Sequence, residues 1–498
     1  MTTSILSPEN SAPVVETAEV QPVKNAGYTS YRIKHTLPSR FAFLILCSAI
    51  ILSALAFGTV HYWAQAIFFL GAVAVLTLWL ADSWILGSFR ISKNVLQLAL
   101  LGMLVVGLVQ LLPLRTPQSA GTLPIPLTKS LSFDPYATRL VVVQLTALLI
   151  YFFVALILLD TPKRLRLLVR TITIFGFFLA IFGLTQSIIS PNKVYWFREL
   201  AQSTAFGPFI NRHHFAGYME LTLALPLGLL FSGAVVKEKR FIYLFVAGLM
   251  GVALMMTNSR GGIISLVAEI LFLAATMGFR RHHKKKGDSR KSKPRIKSAA
   301  TKAGLALALI IALFGGVVLL GGEETLSRLV GSVNVEDPTT GRAHFWSVTV
   351  DIIKNHPVIG TGLGAFSAVY TGYDSRNGLY RLEQAHNDYL QVLSDAGIVG
   401  AVIGLFFIVS LFRMGFARRD SRDDYRRGVA TGALAGCFAV LVHSFFDFTL
   451  HTPSNALLFL ILAALATVNG RVEEVQSRKR KRSRSDSTAA AESGLALP

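Results

Sequence analysis

The sequence predicts an all-α polytopic membrane protein with about twelve spanning helices. Apolar residues make up 52% of its 498 residues and charged ones only 15%, against roughly a quarter charged in soluble domains. The mean hydropathy is +0.52. The apolar residues fall in blocks of roughly 17 to 22 with few charges, the length a helix needs to cross a bilayer. Backbone facing lipid must satisfy its own hydrogen bonds, and helices in one bundle do so.

Residues 1–40 are polar, contain several prolines and lack a signal peptide's apolar core, so a disordered cytoplasmic tail is expected. Nine spans follow within 41–321, at 41–59, 62–81, 95–112, 140–159, 171–189, 215–236, 241–257, 262–279 and 303–321. A long loop subdomain occupies 322–396. Three further spans, at 397–412, 428–449 and 453–469, fill 397–469, and 470–498 is a basic, low-complexity tail. Cys47 and Cys437 both fall inside spans, which points to packing rather than a disulfide. No internal repeat is evident.

Orientation follows from Lys and Arg in the connections. With a cytoplasmic N-terminus, the inner segments are 1–40, 82–94, 160–170, 237–240, 280–302, 413–427 and 470–498. They hold most of the 49 Lys and Arg residues. Both termini are therefore expected in the cytoplasm, and the same asymmetry explains the net charge of +21. The run "RRHHKKKGDSRKSKPRIK" at 280–297 has no interleaved aromatic residues for base stacking. It reads as a positive-inside anchor near anionic lipid, with no nucleic-acid partner.

This topology puts the polar motifs on the outer face. "NSRGG" at 258–262 has two glycines that permit a tight turn. Its Arg260 lies near the start of the eighth span, where a guanidinium and a helix N-terminus together suit phosphate oxygens. The bland alternative is an arginine snorkelling to the interface. In "GRAHFWSVTVDIIKNHPVIGTGLGAF", 341–366, Phe345, Val348, Ile352 and Ile353 form one apolar face of a helix, preceded by Arg342. A surface ion pair of Arg342 with Glu336 or Asp337 is the competing reading. The "GTGLG" has no preceding strand and no following Gly-Lys-Ser, so a nucleotide loop is disfavoured.

"QAHNDYLQVLSDAGIVG", 384–400, opens a helix with His386 on the face of Leu390, Leu393 and Gly397. A helix N-terminus disfavours imidazolium, leaving His386 able to act as a base. Asn387 and Asp388 suit first-turn capping, and Asp388 is also a candidate to orient the histidine. "NRHHFAGYMEL" supplies Asn211, His213, His214 and Glu220. Carboxylates inside a bilayer, here Glu220 and Glu269, are either functional or interhelical hydrogen-bonding groups. In "HSFFDFTLH", His443, Asp447 and His451 are spaced four apart, a metal-compatible spacing. With no H-E-x-x-H and no third ligand evident, neither metal nor cofactor is expected.

These motifs, in this order over about 205–465, resemble the O-antigen ligase and polymerase superfamily of bacterial membrane glycosyltransferases. The resemblance implies a class-C glycosyltransferase-like fold with a long helical periplasmic loop, in a bacterial inner membrane. It implies a donor glycan on undecaprenyl pyrophosphate and an acceptor such as lipid A core. Arg260 and Arg342 would bind the pyrophosphate and His386 would be the catalytic base. Asn211, His214, Asp388, Glu220, His443 and Asp447 are possible supporting residues. Within the superfamily, ligase is slightly favoured over polymerase because the single long loop comes late. A polysaccharide-lipid transporter or flippase is the alternative of another class, suggested by twelve spans and two intramembrane glutamates. It is disfavoured by the absence of a half-to-half repeat.

Overall fold

The computed structural model describes residues 35–115, 129–190, 193–200, 204–278, 342–375, 382–418, 421 and 423–468, with a few positions within 304–315. Residues 1–34 and 469–498, the basic run at 280–297, Glu336, Asp337 and most of the expected span at 303–321 lie outside the described residues, and Leu37–Arg40, expected within a disordered tail, belong to the first helix. Among those described the fold is helical. In chain order come α1 (Leu37–Leu55), α2 (Tyr62–Leu86), α3 (Leu96–Gln110), α4 (Pro135–Leu158), α5 (Pro162–Ile189), α6 (Arg212–Ser232), α7 (Arg240–Met256) and α8 (Arg260–Gly278). Then follow α9 (Arg342–Asn355), α10 (Phe366–Tyr373), α11 (Asp388–Arg418), α12 (Asp424–His443) and α13 (Pro453–Thr467). A short antiparallel pair, Lys193–Val194 with Arg198–Glu199, is the only named sheet among them.

Eight of these helices, α1, α2, α4 to α8 and α11, are long and apolar enough to cross a membrane. All eight coincide with expected spans. Helices form at two more expected spans but are short, with 15 residues each in α3 and α13. The 20-residue α12 carries Asp424, Arg426 and Arg427 in its first turn, which removes it from the strongly apolar set.

Sequence signals at the helix starts are used as physics requires. Asp134 and Thr161 cap α4 and α5, accepting the Ala137 and Arg164 N–H groups, and a proline occupies the first turn of each. Asn211 caps α6 by accepting the His213 N–H at 2.9 Å. Cys47 and Cys437 are buried free thiols.

The centre of the bundle is α6 against α12. Buried residues fill 89% of the apolar window of α6, and α12 is buried along nearly its whole length. Gly428, Gly432 and Gly436 recur every fourth residue on α12, where a Cβ would run into Ser232 Oγ, the Ala224 carbonyl and Ala224 Cβ of α6. Without a hydrophobic drive between helices in lipid, small residues that let backbones touch supply the packing. This contact places Glu220, inside α6, beside the C-terminal end of α12.

The loop helices form a satellite unit. Phe345, Val348 and Ile352 of α9 pack with Phe366, Val369 and Tyr370 of α10 and with Leu382 and Ala385. The apolar face expected from the sequence is thus present, with Ile353 outside that cluster. Trp346 Nε1 donates to the Ala385 carbonyl at 3.1 Å, tying α9 to the segment that carries His386.

The glycine loop 360–364 locks this unit to the membrane helices. Thr361 N–H donates to the Ser394 carbonyl, Gly362 N–H to the Asp395 carbonyl, Leu363 N–H to Gln110 Oε1 and Gly364 N–H to Asp395 Oδ2. With these amides committed inside the protein, "GTGLG" has none of them free to cradle phosphate. Its partner is the kink at Gly397 in α11, where φ is +62 and a Cβ would collide with the Val358 carbonyl.

Candidate functional site

Four segments distant in sequence meet at one end of the α6–α12 pair, and Asp447 is their common point. The expected span 428–449 does not continue to its end. Helix α12 stops at His443, and residues 444–452 form a turn followed by a short 3-10 helix, Thr449–His451. Asp447 N–H still donates to the His443 carbonyl at 3.1 Å. The Asp447 carboxylate, 1% exposed, lies 3.4 Å from His386 Nδ1 through Oδ1 and 3.4 Å from Arg342 Nη2 through Oδ2. His213 Nδ1 is 3.5 Å from the same Oδ2. Burial works to raise the Asp447 pKa, yet the neighbouring His386, His213 and His443 outweigh it and hold the carboxyl well below the usual carboxylate range.

His386 is not on the helix it precedes. Helix α11 begins at Asp388, and His386 stands just before it with φ +50, in the left-handed region that few non-glycine residues adopt and where His, Asn and Asp are enriched. Asn387 is the cap, its Oδ1 accepting the Tyr389 and Leu390 N–H groups at 3.0 and 3.1 Å. The ring's Nδ1 is shielded from solvent while the side chain as a whole is 27% exposed. The ring therefore presents another edge outward. Phe448 packs edge-on against it, with centroids 4.9 Å apart, and against His214 at 5.1 Å.

The carboxylate beside His386 is Asp447, whereas Asp388 turns the other way. Asp388 Oδ2 accepts from Ser444 Oγ at 2.7 Å, and Oδ1 lies 3.4 Å from His451 Nε2. The 386–388 and 444–451 segments thus exchange histidine and aspartate reciprocally. The backbone crosses too, with Asp388 N–H donating to the Ser444 carbonyl at 2.9 Å. Crowding by protein pushes the His451 pKa down to about 4, although a third of its ring remains open.

The "NSRGG" turn joins from α8. Ser259 Oγ is 2.8 Å from His213 Nδ1 and 3.5 Å from His443 Nε2, and it accepts the Gly262 N–H at 3.2 Å. Arg260, exposed at the first position of α8, follows directly. The glycines permit close approach to protein rather than to a ligand. A Cβ at Gly261 would lie 2.7 Å from His443 Cδ2, and one at Gly262 would lie 2.9 Å from Ala216 Cβ.

Each sequence candidate therefore has a place. Arg342, His386, Asp447, His443 and Glu220 belong to one connected cluster, with Glu220 Oε1 2.8 Å from His443 Nδ1. Asn211 and Asn387 are caps, and His214 lines the cluster through Phe448. Glu269 is buried within electrostatic reach of Glu220, with no hydrogen-bond partner for its carboxylate among the described residues. Sequence reasoning left out Ser259, Phe448 and the pairings of His213 and His451. Adjacency to Arg260 was the available signal for Ser259.

His213, His443 and Asp447 present ligand atoms within 4.8 Å of one another, a set able to hold a metal ion. Those atoms also meet Ser259 and Arg342, so a guanidinium supplies positive charge next to Asp447 where a cation would. The arrangement offers a base with an outward edge, its orienting carboxylate and two arginine-bearing elements. Such a set suits deprotonating a hydroxyl beside a departing anion.

Residues 245–405 match the family model described as O-antigen ligase. The matched stretch contains Ser259, Arg260, Arg342 and His386, while His213, Glu220, His443 and Asp447 lie outside it. No curated protein matches the chain. The match supports the O-antigen ligase/polymerase superfamily.

Proposed function

From that superfamily as premise, and with the membrane glycosyltransferase-type activity it implies, we propose that this protein transfers a glycan from undecaprenyl pyrophosphate to an acceptor hydroxyl. The acceptor is lipid A core or a similar periplasmic glycan, and the membrane is the bacterial inner membrane with both termini cytoplasmic. The observation that carries this reading is the meeting of Arg342, His386 and Asp447 beside the Arg260 turn.

In the proposed reaction, the Asp447 carboxylate 3.4 Å from Nδ1 favours the His386 tautomer with its proton on Nδ1, which leaves Nε2 with its lone pair. Nε2 takes the acceptor hydroxyl proton as that oxygen attacks the anomeric carbon. The bond from that carbon to the pyrophosphate oxygen breaks, and the electron pair leaves with the lipid pyrophosphate. Attack opposite the leaving group inverts the anomeric centre. Arg260 and Arg342 neutralise charge as it develops on the pyrophosphate, a stabilisation of the kind that usually dominates such barriers. Cleavage of the glycosyl–pyrophosphate bond supplies the driving force, so the step calls for neither metal nor nucleotide.

Purified protein given a lipid-pyrophosphate-linked glycan and an acceptor tests this. Transfer that survives Arg260→Ala and His386→Ala refutes it. A transporter would instead depend on the intramembrane Glu269, whereas the transferase tolerates Glu269→Gln. In the producing host, deletion that leaves long glycan on the carrier indicates a ligase. Single repeats on the carrier indicate a polymerase.

A further inference from the structure

Glu220 and His443 are completely buried, one within α6 and the other ending α12. A buried carboxyl–imidazole pair is weak support for stability, because desolvation offsets the attraction. The atoms beyond the pair give it a use. In the neutral tautomer that donates Nδ1–H to Glu220 Oε1 at 2.8 Å, His443 presents Nε2 as an acceptor. The group facing Nε2 is the Ser259 hydroxyl, at 3.5 Å. That hydroxyl in turn accepts from Gly262 N–H, in the first turn of α8, and meets His213 Nδ1. The His443 ring also rests against Gly261, with no room for a Cβ between them.

We propose that Glu220 is a positioning residue for the pyrophosphate end of the site. It fixes the tautomer and tilt of His443, and through Ser259 and Gly261 it sets the place of the turn that bears Arg260. The inference rests on the transferase reading above. It assigns a use to a carboxylate deep in the bundle that touches neither donor nor acceptor.

The test uses full-length purified protein with an undecaprenyl-pyrophosphate-linked glycan. Donor and acceptor KM and kcat are measured, together with binding of the donor lipid without acceptor. Glu220→Ala should raise donor KM and weaken donor binding about tenfold, the scale of a lost charge-assisted contact, with acceptor KM little changed. Glu220→Gln keeps an oxygen for His443 Nδ1–H and should restore most of the loss. Ser259→Ala should reproduce the donor defect and add little to Glu220→Ala. Loss of active protein with unchanged donor KM overturns the inference, as does Glu220→Gln behaving like Glu220→Ala. If Glu220→Ala does not fold, Ser259→Ala with wild-type donor KM overturns it alone. Arg260→Ala, run alongside, separates the two levels. Should it lose donor binding while Glu220→Ala keeps it, only the positioning role falls. Should it keep wild-type donor binding, the transferase reading falls and the positioning role with it.

Discussion

His386 Nδ1 faces Asp447 Oδ1 at 3.4 Å, and the same carboxylate reaches Arg342 through its other oxygen. One buried aspartate thus holds the proposed base and one proposed pyrophosphate ligand at a fixed spacing. His386→Ala should lower transfer by about 10² to 10⁴, the usual worth of a general base. Asp447→Asn should cost less, because the base remains but its ring is no longer held in one tautomer. Rates with a defined lipid-linked donor check both.

Arg342→Ala and Arg260→Ala should each reduce transfer by about 10² or more, as loss of a donor to developing charge commonly does. Lysine should not rescue Arg342, since a point charge cannot reproduce a planar fork of donors. Steady-state kinetics of the three single variants would decide this, and full activity in Arg342→Lys would contradict it.

Chelation should leave transfer unchanged. His213, His443 and Asp447 are close enough to ligate an ion, but His213 Nδ1 already meets Ser259 and Asp447 Oδ2 already meets Arg342. Activity after exhaustive EDTA treatment, compared with activity in added divalent cation, measures it. Loss restored by metal would reassign the cluster as a metal centre.

Gly397→Ala should destabilise the protein without touching the chemistry directly. The residue has a positive φ, and a Cβ would strike the Val358 carbonyl. A strained backbone of this kind costs about 1–3 kcal/mol. Thermal unfolding in detergent should show the drop, with remaining folded protein retaining donor affinity.

Acid should weaken the fold partly through His451. Crowding lowers its pKa to about 4 in the folded protein, against about 6.5 when unfolded. Below that upper value the unfolded chain takes up a proton that the folded one refuses, so stability falls as pH drops from about 6.5 towards 4. His451→Gln should flatten this part of the stability profile, which unfolding midpoints across that range would record.

Much of this was legible in one dimension. Blocks of apolar residues identified all eight strongly apolar helices, because a bilayer demands a fixed length of apolar backbone whatever the neighbours. The periodicity of Phe345, Val348 and Ile352 identified α9, and Arg260, Arg342 and His386 stood out as charged or titratable groups beside apolar runs. One boundary was not legible. The expected span 428–449 ran past His443, but α12 ends there because the Ser444 carbonyl and hydroxyl bond to Asp388 of a distant segment.

Partnership was decided only by tertiary structure. Asp388 is the near neighbour of His386 in sequence, yet His386 meets Asp447 and Asp388 meets His451, because the two segments cross where α11 begins and α12 ends. The sequence leaves Glu220 as a functional or an interhelical hydrogen-bonding carboxylate without naming its partner, and the glycine-mediated contact of α6 with α12 supplies His443. Composition and periodicity report what each residue needs from its surroundings. Which residue meets that need depends on how the helices pack.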